Sequence, residues 1–446
     1  MKRYTHSLII ALLCLISYTA NAQTPSLLWQ HCYGGSGDDN IQCIKECQDG
    51  SFIALGNTMS TDGDLTGNGG ITGLWVLKLD RVGKIIWQRT YSDTLRPGDF
   101  IEPTLDGGYI LTNYDHTIKL DKDGAITWIS KYGGIEVHQL SDGTYTISNS
   151  YGLVNLNALG DTVWTSNLVD NYITSISDFC LTPSGGYAVV GYIYDISHSP
   201  YINFANNKGH WLQPIYDTYD MGIAKSVCRT GDDSYVFNTE RSSANSIITK
   251  TADPQTDDWS RNVYGARTAL SADNDYGLIT VGYDSTGGQL DFNIKVFDSG
   301  GIQVWDKTVG GSGDEYCASV LQAKSNIILA AGYTKSNDGD VSGNHGSSDG
   351  WIVALAPANV GVRQVGAATG KVNISPSPAT ADVHIDMPQG YEHATVQLLD
   401  INGKTLPVSQ TQNGLKYSLH MSALPPGDYI ITISNNGAME SHKIVH

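Results

Sequence analysis

The sequence has little positive charge and no long apolar run beyond its first residues. Lys and Arg number 27 against 45 Asp and Glu, which gives a formal net charge of −18 at pH 7 over 446 residues. A chain this acidic repels nucleic acid and anionic membrane surfaces, which excludes both as expected partners. After residue 22 no stretch approaches about 18 consecutive apolar residues, so we expect no transmembrane helix.

The signatures of common catalytic sites are also missing. The sequence has no HExxH zinc motif, no phosphate-binding glycine loop and no dinucleotide fingerprint. Residues 346–350 (GSSDG) have the letters of a nucleophile elbow, but they precede a predicted strand, whereas the elbow links a strand to a helix. The histidines between residues 23 and 356, His138 among them, show no spacing of metal ligands. The sequence therefore favours a binding or structural protein over an enzyme.

Cysteine is scarce, and its placement leaves the disulfide pattern open. Six cysteines follow residue 22, namely Cys32, Cys43, Cys47, Cys180, Cys228 and Cys317. Cys43 and Cys47 would be about 13 Å apart on one straight strand, too far to form a disulfide. Cys180 and Cys228 occupy matching repeat positions and are the better candidates for a bond, while buried thiols are the alternative.

The first 22 residues have the features of a secretory signal peptide. Two basic residues, Lys2 and Arg3, precede an apolar run at 8–16 that is too short to span a bilayer. Residues 20–22 (ANA) provide the small side chains of a cleavage site. We therefore predict a signal peptide at 1–22 and an exported chain whose mature form starts at Gln23.

What the sequence does contain is a near-regular series of tryptophans about 36 to 58 residues apart. Its members are Trp29, Trp87, Trp128, Trp164, Trp211, Trp259 and Trp305. Self-similarity at this period indicates one repeated unit, and a unit made of alternating apolar and polar residues is typical of a propeller blade. We expect each Trp to pack between blades rather than to bind a ligand.

The first repeat unit shows the strand pattern most fully. Four strands separated by Gly- and Asp-containing turns are predicted at 41–47, 52–56, 74–79 and 85–91. A lone strand at 27–33 opens the series, and the last unit ends after its third strand at 351–355. The prediction is an all-β, seven-bladed β-propeller over residues 23–356, closed by the N-terminal strand. Its tryptophan- and glycine-rich repeats resemble those of β-propellers common in exported bacterial proteins.

A short, aperiodic linker at 357–371 precedes a last module at 372–446. Three segments of this module are distinctive: 372–387 (VNISPSPATADVHIDM), 396–406 (VQLLDINGKTL) and 419–433 (LHMSALPPGDYIITI). In this order they resemble the C-terminal sorting domain of the type IX secretion system, type A. The resemblance implies a small β-sandwich, contact with the secretion machinery, and a place at the cell surface or in the medium. Ser377 stands where the family has Asn, and His446 where it has Lys or Arg.

Two acidic loops have the residue pattern of a calcium site. Four residues of the loop 338–349 occupy positions 1, 3, 5 and 12 of a calcium loop, namely Asp338, Asp340, Ser342 and Asp349. Three residues of the matching loop in the first unit agree with this pattern, namely Asp62, Asp64 and Thr66. Calcium prefers six to eight oxygen ligands, which such alternating side chains supply. The alternative is that these are ordinary turn residues.

The acidic loops are expected to share one face of the ring with two crossing segments. Residues 34–39 (GGSGDD) and 310–315 (GGSGDE) each lead from one blade to the next, and ring closure makes the first and seventh blades neighbours. The carboxylates of all four segments should therefore gather in one sector. We expect this sector to be the cation- or ligand-binding region, because a bound cation would relieve the repulsion between its carboxylates.

Three functions fit an exported propeller of this kind. The first is a secreted or cell-surface binding or display protein whose ligand is an extracellular protein or a glycan. The second is an enzyme acting on extracellular polysaccharide, in which Asp38 or Asp39 pairs with Asp314 or Glu315 at about 5–10 Å. The third is a purely structural adhesion component. Carboxylates buried in an aromatic cleft with raised pKa values would favour the enzyme, and a solvated acidic rim would favour binding.

Overall fold

The computed structural model describes most of the chain from residue 25 onward. The described residues are 25–66, 69–91, 98–167, 174–193, 198–212, 222–242, 245–252, 257–264, 266–272, 278–284, 289–356, 372–375, 382–388, 391, 394–400, 405–422, 424–425, 427–435 and 438–445. The predicted signal peptide and linker lie outside these ranges. None of the helical structure in these ranges is long and apolar enough to cross a membrane; it amounts to one 3-10 turn, Gly63–Leu65.

Seven antiparallel sheets are described between residues 27 and 355. Sheet 1 contains β2 (Asp39–Glu46), β3 (Phe52–Thr58), β4 (Gly73–Leu79) and β5 (Ile85–Thr90). Sheet 2 contains β6 (Gly98–Pro103), β7 (Tyr109–Asn113), β8 (Thr117–Leu120) and β9 (Ile126–Ser130). Sheet 3 contains β10 (Glu136–Gln139), β11 (Tyr145–Asn149), β12 (Gly152–Leu156) and β13 (Thr162–Asn167). Sheet 4 has three described strands, β14 (Thr174–Leu181), β15 (Tyr187–Ile193) and β16 (Ser199–Ala205).

The remaining three sheets of this region have four strands each. Sheet 5 contains β17 (Ile223–Arg229), β18 (Tyr235–Ser242), β19 (Asn245–Thr251) and β20 (Trp259–Tyr264). Sheet 6 contains β21 (Ala266–Ala272), β22 (Leu278–Asp284), β23 (Asp291–Phe297) and β24 (Gln303–Val309). Sheet 7 combines β25 (Glu315–Gln322), β26 (Ile328–Thr334) and β27 (Asp349–Leu355) with the first strand of the chain, β1 (Leu27–Tyr33).

The strands predicted for the first unit are confirmed to within two residues at each end. The alternating pattern predicts them because a strand with one covered face buries every second side chain. The third strand, β4, is instead apolar and buried almost throughout, as is β27. Such runs are typical of strands that are covered on both faces.

Sheet 7 takes its fourth strand from the start of the chain. β1 runs antiparallel to β27, with Trp29 opposite Ala354 and Cys32 opposite Trp351. Sheet 7 also packs against sheet 1, because β2 lies against β25, β26 and β27. The first strand of each later sheet likewise packs against the sheet before it. The result is a propeller-like series of sheets in which each one packs against the next.

Trp87 and Trp128 pack between neighbouring sheets, as predicted for the repeated tryptophans. Trp87 on β5 meets Tyr109 of sheet 2 edge-on, with 5.8 Å between ring centroids. The same ring explains the glycine of the next hairpin: a Cβ on Gly124 would lie 3.0 Å from Trp87, and Gly124 has a φ of +80°. Trp128 repeats both contacts, with Tyr145 at 5.8 Å and with Gly160. The turn therefore needs glycine for its backbone angle and for the space that the indole occupies.

The six cysteines of the described residues form no disulfide, so the favoured Cys180–Cys228 bond is absent. Cys180 packs against an apolar cluster shared by sheets 4 and 5, and Cys228 packs against a second cluster. Burial raises the pKa of the Cys180 thiol well above its usual range, and the nearby Cys228 adds to the rise. Both side chains act as small apolar groups of the core, which is the alternative that the sequence left open.

The C-terminal module consists of two four-stranded sheets in the described residues. One contains β28 (Asn373–Ser375), β29 (Asp382–Asp386), β32 (Ser409–Asn413) and β33 (Lys416–His420). The other contains β30 (Thr395–Asp400), β31 (Thr405–Leu406), β34 (Asp428–Asn435) and β35 (Ala438–Val445). One apolar cluster includes residues from both sheets, among them Ile385 and Ile431. The distinctive segment 396–406 contains the antiparallel β30–β31 pair, and its residues 401–404 lie outside the described residues.

Candidate functional site

Two crossing segments with the same five residues, GGSGD, organise the acidic loops. We call residues 34–38, between β1 and β2, crossing A, and residues 310–314, between β24 and β25, crossing B. Each is followed by a buried acidic residue that begins a strand, Asp39 after crossing A and Glu315 after crossing B. Neither carboxyl group is exposed to solvent.

Crossing A is held by the acidic loop of sheet 1. The amide of Ser36 donates to Asp62 Oδ1 at 2.7 Å, and the amide of Gly34 donates to Asp64 Oδ2 at 3.2 Å. The Asp64 amide returns a bond to the Gly34 carbonyl at 2.9 Å. The bond from the Ser36 amide lowers the pKa of Asp62. These two predicted calcium ligands therefore accept hydrogen bonds from the crossing backbone.

Crossing B repeats this arrangement with the acidic loop of sheet 7. The Ser312 amide donates to Asp338 Oδ1 at 2.7 Å, and the Gly310 amide donates to Asp340 Oδ2 at 3.4 Å. The Asp340 amide again bonds the Gly310 carbonyl, at 2.8 Å. Because sequence and hydrogen bonds repeat together, the two acidic loops are equivalent elements of neighbouring sheets.

The hydroxyl groups predicted as calcium ligands have partners within the protein. Thr66 Oγ1 donates to the Gly63 carbonyl at 2.9 Å. Ser342 Oγ accepts from Gln30 Nε2 at 2.6 Å, and Gln30 in turn accepts from Trp351 Nε1 at 2.7 Å. The Ser342 contact ties the sheet 7 loop to β1.

Asp349 is the last residue of the calcium loop predicted in sheet 7. It lies beside crossing A, whereas Asp338 and Asp340 accept backbone amides of crossing B. Its Oδ2 accepts from the backbone amide of His345 at 3.1 Å and lies 2.6 Å from His345 Nδ1. Its Oδ1 lies 3.0 Å from the place that a Cβ on Gly34 would take. The structure thus places Asp338 and Asp340 at crossing B, Asp349 beside crossing A and Ser342 against β1. The contacts also bring both loops and crossing A together, in agreement with the predicted acidic sector.

The carboxylates proposed for glycoside hydrolysis include two that a sugar cannot reach. Asp39 Oδ1 accepts from the Thr58 hydroxyl and from the Met59 amide, and Oδ2 accepts from the Ser60 hydroxyl and the Gly35 amide. Glu315 accepts from the Thr334 hydroxyl and the Gly311 amide. Such internal donors stabilise a buried carboxylate and remove it from solvent.

The two exposed alternatives are engaged differently. Asp38 Oδ1 accepts from Ser348 Oγ at 3.1 Å, across the boundary between sheets 1 and 7. Asp314 Oδ1 accepts from the Leu290 amide at 3.2 Å, and its other oxygen lies 3.9 Å from Lys335. Across the ranges that the structure describes, no group of three or more His, Cys, Asp and Glu side chains is arranged as a metal cluster.

A charged triad on the first strands of sheets 2 and 3 was not predicted from the sequence. His138 on β10 lies between Glu102 on β6, at 2.8 Å from Nδ1, and Glu136, at 3.1 Å from Nε2. Glu102 also accepts from the Gln139 amide at 2.6 Å. The three side chains are between 13% and 18% exposed. Aligning the first strands of successive repeats would have placed Glu102 and His138 on neighbouring strands, although no local spacing indicates them.

The triad is an ion cluster in which two carboxylates share one imidazole. Burial lowers the pKa of His138, but the charges of Glu102 and Glu136 and the hydrogen bonds to both raise it by more, to about 10. The imidazole is therefore protonated at neutral pH and cannot act as a general base there. Phe100 and Phe179 flank the ring edge-on, with centroids 5.4 and 5.0 Å away. Its evident role is to join sheet 2 to sheet 3.

Comparison with known proteins identifies one part of the chain. The family described as the secretion system C-terminal sorting domain matches residues 373–446. No curated protein matches the chain. A sorting domain of the type IX secretion system therefore lies at the C-terminus, which implies a chain that is secreted or carried to the cell surface.

Similarity to solved structures concerns the fold. A streptogramin B lyase structure has a TM-score of 0.51 at 11% sequence identity and covers 74% of this chain and 98% of its own. A virginiamycin B lyase from Staphylococcus aureus has the same TM-score at 10% identity and covers 73% and 98%. PorZ, an essential surface component of the type-IX secretion system of Porphyromonas gingivalis, has a TM-score of 0.44 at 11% identity and covers 93% and 60%. The two lyases agree with the propeller-like array of sheets.

Proposed function

We propose that this protein is a seven-bladed β-propeller that is exported through the type IX secretion system and binds an extracellular partner at the cell surface. The observation that carries the proposal is the sorting domain at 373–446, joined in one chain to seven successive sheets. Propellers present loops of many blades on one face, and such faces commonly bind ligands. The expected ligand is an extracellular protein or a glycan.

Contacts of the N-terminal strand support the proposed closure of the ring. Trp29 on β1 lies against Gly83 of sheet 1, and the Tyr33 hydroxyl donates to the Gly83 carbonyl at 2.6 Å. In the same way Trp87 lies against Gly124 of sheet 2, and the Tyr91 hydroxyl donates to the Gly124 carbonyl at 2.6 Å. β1 therefore packs against sheet 1 in the way that β5, the fourth strand of sheet 1, packs against sheet 2.

The acidic sector is the region where we place cation or ligand binding. Asp38, Asp62, Asp338 and Asp340 are exposed in it, while Asp39 and Asp349 are buried beneath. Calcium is the cation that its oxygen-rich loops suit. This solvated acidic rim is the feature that favours binding over catalysis on a sugar.

Export in this proposal uses both ends of the chain. The signal peptide at 1–22 directs passage into the periplasm, and the C-terminal module, of the type A kind, engages the secretion machinery of the outer membrane. The module departs from the family's usual residues at Ser377 and His446, and both positions lie outside the described residues.

Deleting residues 372–446 tests the proposal. The shortened protein should keep the strands of its seven sheets and remain in the periplasm, whereas the full chain should be found at the cell surface or in the medium. Ser377→Asn, which restores the family's usual residue, is the matched control and should leave export unchanged. Normal surface appearance of the shortened protein would contradict the proposed route. Screening the full mature chain against glycan and extracellular-protein arrays tests binding separately.

A further inference from the structure

The boundaries on either side of sheet 7 contain the same three-carboxylate pocket. A Cβ on Gly34 would meet Asp39 Oδ2 and Asp349 Oδ1, and the Gly34 amide faces Asp64 Oδ2. We call this pocket A. Each of its three carboxylates comes from a different element, namely the start of β2, the start of β27 and the loop of sheet 1.

Pocket B is the equivalent at crossing B. A Cβ on Gly310 would meet Glu315 Oε2 and Asp291 Oδ1, and the Gly310 amide faces Asp340 Oδ2. Asp291 begins β23 of sheet 6 as Asp349 begins β27 of sheet 7. The corresponding first residue of β4 in sheet 1 is Gly73, which has no carboxylate. A feature that repeats with its residues and its geometry indicates a built site rather than a coincidence of turn residues.

Asp349 has a buried carboxylate oxygen without a donor among the described residues, which points to a ligand independently of the number of acids nearby. Its side chain has no exposed area, and its Oδ1 has no hydrogen-bond partner among the described residues. This oxygen lies 3.0 Å from the position that a Cβ on Gly34 would take, and Asp39 Oδ2 adjoins the same position. A buried carboxylate oxygen without a partner is costly, since it has lost water and gained no donor.

Charge balance is also incomplete in pocket A. Among the described residues, no Lys or Arg lies within ion-pair distance of Asp39, Asp64 or Asp349, and the cationic partner present is His345, on the other oxygen of Asp349. Burial raises the pKa of Asp349, and the charge of Asp39 adds to the rise. Two buried carboxylates thus face the space beside Gly34, a third accepts the Gly34 amide, and one imidazole opposes their charge.

We propose that a hard divalent cation, with calcium as the probe, binds in pocket A between Asp349 and Asp39, and that a second binds in pocket B between Asp291 and Glu315. Calcium accepts an irregular set of oxygen ligands, including waters, which suits a site with few protein carboxylates. Each cation would join two neighbouring sheets, since its ligands come from both. These two sites at the boundaries of sheet 7 replace the single-loop calcium site and rest on the cation binding proposed above. They depend neither on the export route nor on the identity of the extracellular ligand.

Calcium titration of the full mature chain by calorimetry, after treatment with chelator, tests this inference. We expect two calcium ions per chain, one for Asp349→Asn, one for Asp291→Asn and none for the double variant. Asp161→Asn, an exposed residue of sheet 3 with the same change in charge, is the matched control and should keep two. In 1 mM calcium the wild-type melting temperature should rise by about 3 °C or more.

Two further measurements compare the Asp349→Asn and Asp291→Asn variants with the wild-type chain. In chelator, Asp349→Asn should melt at or above the wild-type temperature, because it removes one of the mutually repelling carboxylates. Asp291 lies outside both predicted calcium loops, so loss of a calcium ion in Asp291→Asn distinguishes the boundary site from a single-loop site. A wild-type chain that binds no calcium at millimolar concentration would overturn the inference. So would a double variant that still binds two ions, or a loss of binding in Asp338→Asn alone.

Discussion

Two regions among the seven sheets bury carboxylates, and the negative charge meets different partners in each. On the first strands of sheets 2 and 3, Glu102 and Glu136 share the protonated ring of His138. In pocket A, Asp39 is surrounded by hydroxyl and amide donors, while one oxygen of the neighbouring Asp349 has no donor among the described residues. The first cluster contains a counter-charge of its own, whereas in pocket A one buried oxygen has no donor among the described residues, which is why we propose a bound cation there.

The difference between the triad and pocket A indicates which buried carboxylates of an acidic protein could bind a ligand. A buried carboxylate costs little when donors or a counter-charge satisfy each oxygen, and much when one oxygen is left over. Acidic residues are numerous along this chain, and most of the described ones at the crossings accept backbone amides. A buried oxygen left without a donor, such as Asp349 Oδ1 in the described part of the chain, is therefore a stronger indication of a cation site than the number of acids.

The largest effect is expected from removing residues 24–33, which deletes β1. Sheet 7 would lose its fourth strand, crossing A would lose its anchor, and the edge of β27 would be exposed. If the ring is closed, both regions belong to one cooperative unit, and the melting temperature should fall by about 10 °C or more. Removal of residues 23–26 alone is the control and should have little effect. A shortened chain that melts like the intact one would show that β1 does not close the ring.

A smaller effect is expected from His138→Gln. The substitution leaves Glu102 and Glu136 facing one another without a counter-charge, and breaking a buried ion pair in this way costs about 3 kcal/mol. Urea unfolding of the full chain measures the loss. The double variant His138→Gln/Glu102→Gln should recover part of it, because one of the two repelling charges is gone. A loss below about 1 kcal/mol, typical of an exposed pair, would show that the triad is solvated.

The smallest effect is the pH dependence that the triad confers. The pKa of His138 is raised to about 10 in the folded chain, against about 6.5 when unfolded. Its stabilisation is therefore complete below about pH 6.5 and declines as the pH rises toward 10. Melting temperatures from pH 6 to 10 should fall more steeply for wild type than for His138→Gln. Parallel curves would contradict the assigned protonation.

Much of the fold follows from the sequence because it depends on short-range patterns. The strands of sheet 1 alternate or run apolar over five to eight residues, and the hairpin glycines mark the turns between them. The packing role of the tryptophans was also predictable, since a large apolar side chain repeated once per unit must meet the same neighbour in each unit. The sorting domain was evident from three segments in a fixed order, and its two sheets agree with the expected sandwich.

The site was less predictable because its residues come from different sheets. The pattern of the loop 338–349 predicts that Asp349 joins Asp338 and Asp340, but β27 carries it to crossing A instead. Local spacing cannot show that a neighbouring sheet supplies Asp39. The His138 triad was missed for the same reason, since Glu102 precedes it by a full repeat.

The most direct test of a boundary cation is a high-resolution crystal structure of the full mature chain grown with calcium. We expect an anomalous peak beside Gly34, with Asp349 Oδ1 and Asp39 Oδ2 as ligands at about 2.3–2.6 Å, and a second peak beside Gly310. A water molecule in place of the peak, or a direct hydrogen bond between the Asp349 and Asp39 carboxyl groups, would contradict the claim that an external cation balances the charge of these pockets.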